Sequence, residues 1–235
     1  MLKISNLETY YGDVRIIKGI SLEMQEGKLI AIFGPNGHGK STLLKTICGL
    51  VKPTSGTIEF QGIDVAKLNM MQIVDLGLVY VPEDRHLFPE MTVMENLRMG
   101  AYIKRARSKE KQNLEYVFSL FPKLDTLKNR TAGNLSGGEA RMLTIGRGLM
   151  SGAKLLCIDE PSLGLAPNLR TEVIRKTAEI RNLGVSVILV EQSTIEAAEE
   201  ADDIYLIENG VVVFSGTPEQ AKNNPQFMET FLGVV

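Results

Sequence analysis

Residues 34–42 read GPNGHGKST and lie between the apolar run Leu29–Phe33 and the helical run Thr42–Leu50. The stretch matches G-x-x-x-x-G-K-[ST] in the strand–loop–helix context that this phosphate-binding loop requires. Its glycines permit the tight backbone path in which successive amides point at phosphate oxygens, and the positive end of the following helix strengthens the attraction. The motif therefore predicts a nucleotide site, and a glycine-rich turn without a ligand is the weaker interpretation.

Individual residues of this loop have distinct expected roles. Lys40 should reach the β- and γ-phosphates, and Ser41 should coordinate Mg²⁺. The other residues that we expect around the phosphates are Gly34, Pro35, Asn36, Gly37, His38, Gly39 and Thr42. Because His38 occupies a variable position of the motif, we interpret its side chain as incidental.

Short apolar runs of β type alternate with helical stretches along the chain. They are Leu29–Phe33, Leu76–Val81, Leu155–Ile158, Val185–Val190 and Ile204–Ile207. This alternation is typical of an α/β fold with a largely parallel sheet. The first sixty residues instead predict a small antiparallel layer, with strands at Leu2–Leu7, Ile16–Met24 and Gly56–Phe60.

The segment between Pro89 and Arg147 is helical in character, with stretches at Val93–Lys104 and Lys109–Leu120. We expect one domain over residues 1–235, in which a helical part at about 89–147 is inserted into the core. A basic cluster in that part is interpreted as a solvated loop rather than a binding patch. Its members are Lys104, Arg105, Arg107, Lys109 and Lys111.

The charge balance and the apolar runs exclude some classes of protein. The chain's 26 Lys and Arg residues oppose 28 Asp and Glu residues, so no field of one sign would hold nucleic acid or anionic lipid. No apolar stretch approaches the roughly 20 residues of a membrane-spanning helix, and the N-terminal residues lack the features of a secretory signal. We therefore expect a cytoplasmic protein in which Cys48 and Cys157, without metal-like spacing, are buried free thiols.

Residues 154–161 read KLLCIDEP, an apolar strand that ends in two acids. In a phosphoryl-transfer site Asp159 suits a hydrated Mg²⁺, and Glu160 suits polarisation of the attacking water. Taken alone, such a pair is more often a helix cap or a surface pair. Beside a phosphate loop, the catalytic interpretation is favoured.

Residues 135–139 read LSGGE and precede the helical run Ala140–Met150. Ser136, Gly137 and Gly138 open that helix with free amides that can bind an anion. The alternative is an ordinary serine N-cap with Glu139 at the third helical position. We favour a second phosphate-binding helix end, Ser136 to Glu139, because the whole string is more specific than a cap requires.

Because GPNGHGKST, LSGGE and LLCIDEP follow one another along the chain, the sequence resembles the ATP-binding subunits of ABC transporters over essentially all of its length. The resemblance implies a P-loop NTPase with a RecA-like, mostly parallel core sheet, an N-terminal antiparallel β subdomain and a helical signature subdomain. It implies ATP as the nucleotide, with Tyr11 stacked on the adenine. It also implies a head-to-tail pair of such domains, in which residues 136–139 of one cover the ATP held by the other.

Three positions depart from the family pattern. Glu83 stands where the family has a glutamine, although an acid can still bind Mg²⁺. Gln192 replaces a histidine that contacts the γ-phosphate, and Ala166 replaces an aspartate after the second motif. A glutamine cannot act as an acid or base, so reduced ATPase activity is one interpretation of these departures. The strings VPE, DEPSLGLAP and VEQ are similar to the LivF-type branch of branched-chain amino acid importers, so we favour hydrolysis.

The resemblance predicts an ATPase subunit that powers import of branched-chain or other amino acids, peripheral on the cytoplasmic face of the inner membrane. Its expected partners are integral membrane permease subunits, docked near residues 86–97, and a second ATP-binding subunit, identical or LivG-like, with no nucleic acid. We expect Glu160, Lys40 and Gln192 to act in catalysis and Ser41, Glu83 and Asp159 to hold Mg²⁺. A soluble, non-transport ATPase of this type and a binding-only partner of a more active homologue are the alternatives. The cargo stays open.

Overall fold

The computed structural model describes residues 1–192 and 194–232. A four-stranded antiparallel sheet lies at the N-terminal end, in the order β2-β1-β4-β5. Its strands are β1 (Leu2–Tyr11), β2 (Val14–Met24), β4 (Ser55–Phe60) and β5 (Ile63–Asp64). Burial alternates along β1 and β2, because one face of an antiparallel sheet packs on the core and the other meets solvent. The predicted antiparallel layer is confirmed.

The second sheet has six strands, in the order β10-β9-β3-β8-β7-β6. They are β3 (Leu29–Phe33), β6 (Leu78–Val81), β7 (Leu155–Asp159), β8 (Ser186–Val190), β9 (Asp203–Glu208) and β10 (Val211–Gly216). All neighbouring pairs are parallel except β9 and β10. Strands β3, β7 and β8 are buried along their whole length, which explains their continuous apolar runs.

This sheet separates two apolar cores, one of which also receives the inner face of the antiparallel sheet, and helices flank it. The helices are α1 (Lys40–Ile47), α2 (Met70–Leu76), α8 (Pro167–Glu179), α9 (Ile195–Glu200), α10 (Pro218–Lys222) and α11 (Pro225–Leu232). The strand predicted from Leu76 starts later, because Gly77 ends α2 with a left-handed backbone at φ 103°.

Five helices lie between β6 and β7 in the chain. They are α3 (Val93–Gly100), α4 (Lys104–Arg107), α5 (Glu110–Leu120), α6 (Pro122–Thr126) and α7 (Gly137–Met150). The continuous helix predicted over Val93–Lys104 is wrong, since α3 ends at Gly100. There the backbone approaches α7 so closely that a Cβ atom would overlap the carbonyl oxygen of Arg147.

The interpretation of the whole basic cluster as a solvated loop is wrong for Arg105. Its guanidinium donates hydrogen bonds to the carbonyl oxygens of Val74, Asp75 and Gly152 and so ties α4 to the core. Lys104, Arg107, Lys109 and Lys111 are exposed. Cys48 and Cys157 are buried and free, as expected. None of the helices in the described ranges combines the length and the apolar character that a membrane crossing needs.

Candidate functional site

The carboxyl ends of three adjacent parallel strands, β3, β8 and β7, meet at one edge of the six-stranded sheet. Such an edge is where α/β folds bind ligands. A cavity of ≈ 370 Å³ opens there beside the phosphate loop. It is lined by Ile16, Asn36, Gly37, Gly39, Lys40, Ser41, Thr42, Glu83, Glu160, Leu163 and Gln192. Half of the predicted site residues therefore line one cavity.

The phosphate loop has the backbone that its sequence predicts. Gly34 lies so close to β9 that a Cβ atom would overlap the carbonyl oxygen of Ile207. Gly39, in the left-handed region at φ 104°, is the N-cap of α1, and no side chain caps this helix start. The first amides of α1 are thus free to bind an anion.

Lys40 is buried, and its ammonium group has three oxygen neighbours. Nζ donates to the carbonyl oxygens of Gly34 at 2.7 Å and Pro35 at 3.1 Å, and it lies 3.6 Å from Oε1 of Glu160. Burial lowers the pKa of Lys40, whereas the charge of Glu160 opposes that shift. The cation is therefore held between the loop and the carboxylate of Glu160.

Asp159 is the buried last residue of β7, and two hydroxyl groups bind its carboxylate. Ser41 Oγ donates to Oδ1 at 3.0 Å, and the Tyr80 hydroxyl donates to Oδ2 at 2.7 Å. Burial raises the pKa of Asp159, and the two hydrogen bonds counteract that rise. Sequence reasoning missed Tyr80, which lies on β6 within an apolar run and reaches Asp159 only through the pairing of β6 with β7.

Glu160 adopts a left-handed backbone at φ 40°, which is uncommon for a residue with a side chain. Its amide donates to the carbonyl oxygen of Val190. Gln192 Nε2 donates to Glu160 Oε2 at 2.7 Å, so Gln192 contacts the carboxylate that we expect to activate water. The departure at Gln192 thus lies within the predicted catalytic site.

Glu191 is a buried carboxylate that sequence reasoning also missed. It accepts hydrogen bonds from the backbone amide of Ser162 at 3.1 Å, from Ser162 Oγ at 2.8 Å and from Thr194 Oγ1 at 3.1 Å. Burial raises the pKa of Glu191, and these hydrogen bonds oppose the rise. The residue therefore connects the segment that follows Glu160 with the segment that contains Gln192.

Glu83 lines the phosphate cavity. It also lines a second cavity of ≈ 370 Å³, which shares Ser41 and contains Asp159. Burial, and then the negative charges of Glu160 and Asp159, raise the pKa of Glu83. Asp159, one of its two predicted partners in Mg²⁺ binding, is thus close enough to influence it electrostatically.

Oxygen donors at this edge suit Mg²⁺, which prefers one or two carboxylates and completes its shell with phosphate oxygens and water. The hydroxyl of Ser41 and the carboxylate of Asp159 are directly hydrogen-bonded. Within the described ranges, no group of three or more His, Cys, Asp and Glu residues is arranged to hold a metal by itself. The residues present therefore fit an ion that arrives with a nucleotide.

The LSGGE segment forms the start of α7. Ser136 Oγ accepts from the amide of Glu139 at 3.4 Å, and Glu139 Oε2 accepts from the amide of Ser136 at 2.9 Å. This reciprocal pair is a capping box, so the alternative that sequence analysis placed second is realised in the geometry. Gly137 and Gly138 follow the cap, and none of residues 136–139 belongs to the cavity lining described above.

His38 is not incidental, which corrects the expectation from the motif. Its Nδ1 accepts a hydrogen bond from the amide of Asn209 at 3.1 Å, and its carbonyl oxygen accepts from the amide of Gly210. The side chain therefore anchors the phosphate loop to the turn between β9 and β10. Nothing in the local sequence signals a contact across 171 positions.

Tyr11 ends β1 and is 46% exposed. It pairs with Val14 across the turn to β2, and Ile16, further along β2, lines the phosphate cavity. An exposed aromatic ring thus stands on the hairpin that borders the nucleotide site. Its expected contact with adenine stays a prediction.

A family model described as ABC transporter matches residues 17–163. The chain belongs to the ABC transporter family. A high-affinity branched-chain amino acid transport ATP-binding protein of Pseudomonas aeruginosa, BraG, is 40% identical over 99% of this chain and 100% of its own length. The probable branched-chain amino acid transport ATP-binding protein LivF of Archaeoglobus fulgidus is 33% identical, with 100% of both chains covered.

The crystal structure of the ADP conformation of an ATP-binding cassette of an ABC transporter matches with a TM-score of 0.84 and 28% identity, over 100% of this chain and 99% of that one. The predicted fold class and the resemblance to ABC transporter subunits are confirmed. As an ATPase of the ABC transporter family, the chain couples ATP hydrolysis to transport.

Proposed function

We propose that this ABC subunit powers the import of branched-chain or other amino acids, with ATP and Mg²⁺ bound at the edge of β3, β7 and β8. The cargo is suggested by the names of its relatives. The proposed location of the ATP site rests on one cluster, in which Ser41 binds Asp159 while Lys40 and Gln192 flank Glu160.

Binding begins with the phosphates. The free amides of the loop and of the α1 N-terminus surround the β- and γ-phosphates of ATP. Lys40 exchanges its carbonyl partners Gly34 and Pro35 for phosphate oxygens, which are stronger partners for a buried ammonium group. Tyr11 stacks on the adenine, since its ring is exposed beside the cavity.

Ser41, Asp159 and Glu83 would hold Mg²⁺. The ion would supply positive charge that offsets the negative charge developing on the transferred phosphoryl group. Tyr80 holds the second oxygen of Asp159, which leaves the first oxygen directed at Ser41. The protein thereby supplies a fixed pair of oxygen donors before the nucleotide arrives.

Glu160 orients the attacking water and accepts its proton. Gln192 donates to one carboxylate oxygen and so fixes the rotamer of the Glu160 side chain. When Lys40 moves onto the phosphates, the other oxygen, Oε1, becomes free to bind the water. Gln192 does not exchange a proton in this scheme, because an amide only donates or accepts hydrogen bonds.

A second ATP-binding subunit, identical or LivG-like, completes each site with its own residues 136–139. This step is supported by the cavity lining, to which these residues of the same chain do not belong. The capping box leaves Gly137 and Gly138 as the amides that can face a partner's γ-phosphate. One chain, a single domain over residues 1–235, thus provides two half-sites.

Integral membrane permease subunits dock on the second cavity, at the cytoplasmic face of the inner membrane. Its lining is largely apolar and includes Cys48, Leu50, Met70 and Val74. Leu50 is 47% exposed and Met70 is 52% exposed, which suits an apolar helix of a partner. Because Ser41, Glu83 and Asp159 also line this cavity, docking and Mg²⁺ binding share residues.

The test uses the purified chain and its complex. We expect Mg²⁺-dependent ATP hydrolysis, lost in Glu160→Gln while ATP binding persists, and co-purification with permease subunits. Hydrolysis without permease partners would favour a soluble, non-transport ATPase. ATP binding without hydrolysis, alone or with the second subunit, would favour a binding-only partner.

A further inference from the structure

Arg141 is 1% exposed and lies in the second turn of α7, just after the capping box of Ser136 and Glu139. Its guanidinium points at the segment that carries Glu83. Nη1 donates to the carbonyl oxygen of Pro82 at 3.1 Å, and Nη2 donates to that of Glu83 at 2.9 Å. The helix that begins with the LSGGE motif is thus hydrogen-bonded to the backbone of a proposed Mg²⁺ ligand.

A buried arginine in this setting is energetically expensive. Among the described residues, no carboxylate lies within ion-pair distance of Arg141, and its Nε has no hydrogen-bond partner. A leucine or methionine could fill the same space without burying a charge. The arginine thus provides two features that an apolar side chain does not, namely these two carbonyl contacts and the attraction of its charge to Glu191, Glu83 and Asp159.

Two more side chains of α7 approach the same segment. Thr144 Oγ1, which donates to the carbonyl oxygen of Ala140 at 2.9 Å, lies 3.4 Å from that of Arg85. Arg147 donates to the carbonyl oxygens of Arg85 and His86 at 3.1 and 2.7 Å. Arg85 and His86 have left-handed backbones, at φ 35° and 44°, which residues with side chains rarely adopt. One face of α7 thus holds the loop in an unfavourable conformation. Arg141 binds the end of the loop at which Glu83 lies.

We propose that Arg141 is a positioning residue that holds the backbone of Glu83 so that the Glu83 carboxylate faces the Mg²⁺ site. The inference rests on the proposed function of Glu83 as a Mg²⁺ ligand. The backbone at Pro82 and Glu83 determines where the carboxylate starts, and β6 ends just before it at Val81. Groups that orient a ligand in this way commonly change metal affinity by roughly 10- to 100-fold when removed.

Arg105 offers a matched control. It too is an arginine of the helical segment, and it donates to three backbone carbonyl oxygens. Its partners, Val74, Asp75 and Gly152, include none of the proposed Mg²⁺ ligands. Arg105→Met removes contacts of the same kind from a place outside the site, so it reports the effect of lost stability alone.

The experiment compares wild type, Arg141→Met, Arg141→Lys and Arg105→Met. The affinity for a fluorescent ATP analogue is measured in EDTA and over a Mg²⁺ titration, without turnover. In Arg141→Met we expect the half-saturating Mg²⁺ concentration to rise by roughly 10-fold, with unchanged affinity in EDTA. Arg141→Lys, which can still donate to one carbonyl, should recover part of this loss, and Arg105→Met should match wild type.

An unchanged Mg²⁺ titration in folded Arg141→Met would overturn the inference, because Arg147 would then suffice to hold the loop. An equal shift in Arg105→Met would also overturn it, since the effect would be one of general stability. If Arg141→Met does not fold, a wild-type Mg²⁺ titration in Arg141→Lys has the same consequence. Failure of the wild-type chain itself to bind nucleotide with Mg²⁺ dependence would instead contradict the proposed function.

Discussion

Gln192 Nε2 donates a hydrogen bond to Glu160 Oε2 over 2.7 Å, so the glutamine that replaces the family's histidine holds the proposed catalytic carboxylate directly. On the opposite side, Lys40 Nζ lies 3.6 Å from Oε1. Glu160 is therefore held from both sides before ATP arrives. A histidine is not needed for this positioning, because the amide supplies the donor.

Gln192→Leu tests this relationship, since it removes the donor while keeping a side chain of similar size. We expect kcat to fall by roughly 10- to 100-fold, the usual effect of losing a group that orients an active-site ligand, with little change in the KM for ATP. Gln192→His, which restores a donor, should recover much of the rate. Steady-state kinetics at saturating Mg²⁺ give both parameters, and full kcat in Gln192→Leu would show that Glu160 needs no such support.

Tyr80→Phe removes the hydroxyl that binds Asp159 Oδ2. Asp159 then loses one of its two hydroxyl donors, and we expect a several-fold higher Mg²⁺ requirement, consistent with roughly 1 kcal/mol for one hydrogen bond. The kcat at saturating Mg²⁺ should stay near wild type. Tyr205→Phe is the control, because that hydroxyl donates to the carbonyl oxygen of Glu23 outside the site. Equal behaviour of the two variants would argue against a role of Tyr80 in holding Asp159.

The burial of Glu191 predicts how the stability of the fold changes with pH. Burial raises its pKa in the folded protein above the usual glutamate value of 4.5, so the folded chain keeps the Glu191 proton to higher pH than the unfolded chain does. The contribution of this group to stability is therefore complete below about pH 4.5 and is lost as the pH rises through the folded-state pKa. A glutamine at this position does not ionise, so the stability of Glu191→Gln does not fall in this way as the pH rises. The glutamine has one fewer acceptor oxygen for Ser162 and Thr194.

We consequently expect Glu191→Gln to be less stable than wild type at pH 5, with a difference that narrows toward pH 8. Urea unfolding at several pH values measures both free energies of unfolding. If the difference between the two free energies of unfolding instead widened as the pH rose, the fold would stabilise the ionised carboxylate. That result would contradict the conclusion that burial has the larger effect on the pKa of Glu191.

Leu50→Glu tests the proposed permease surface. Leu50 is 47% exposed, so a charge there should leave the fold and the ATPase activity of the isolated chain intact. It should weaken docking, because an apolar partner helix would bury that charge without a partner. Co-purification with the permease subunits measures the loss, and Val14→Glu, at another exposed apolar position that does not line the cavity, is the control.

Local motifs led to residues that lie together in the structure because each motif is contiguous in the chain. The phosphate loop combines a strand, three glycines and a helix start, while Asp159 ends one buried strand and Glu160 follows it. Tyr80, Glu191 and Arg141 escaped prediction because each acts across the fold, through strand pairing or helix packing. The close approach of α7 to Gly100 likewise arises from packing across the fold, which no local pattern encodes.

ATP turnover by wild type and Glu160→Gln, compared under one set of conditions, tests the central claim most directly. The substitution keeps the size of the side chain and its contact with Gln192, but it removes the carboxylate that accepts the proton of the attacking water. We predict Mg²⁺-dependent turnover by wild type, and in Glu160→Gln unchanged ATP affinity with kcat lowered by roughly 100-fold or more. Turnover by Glu160→Gln at the wild-type rate would contradict the account.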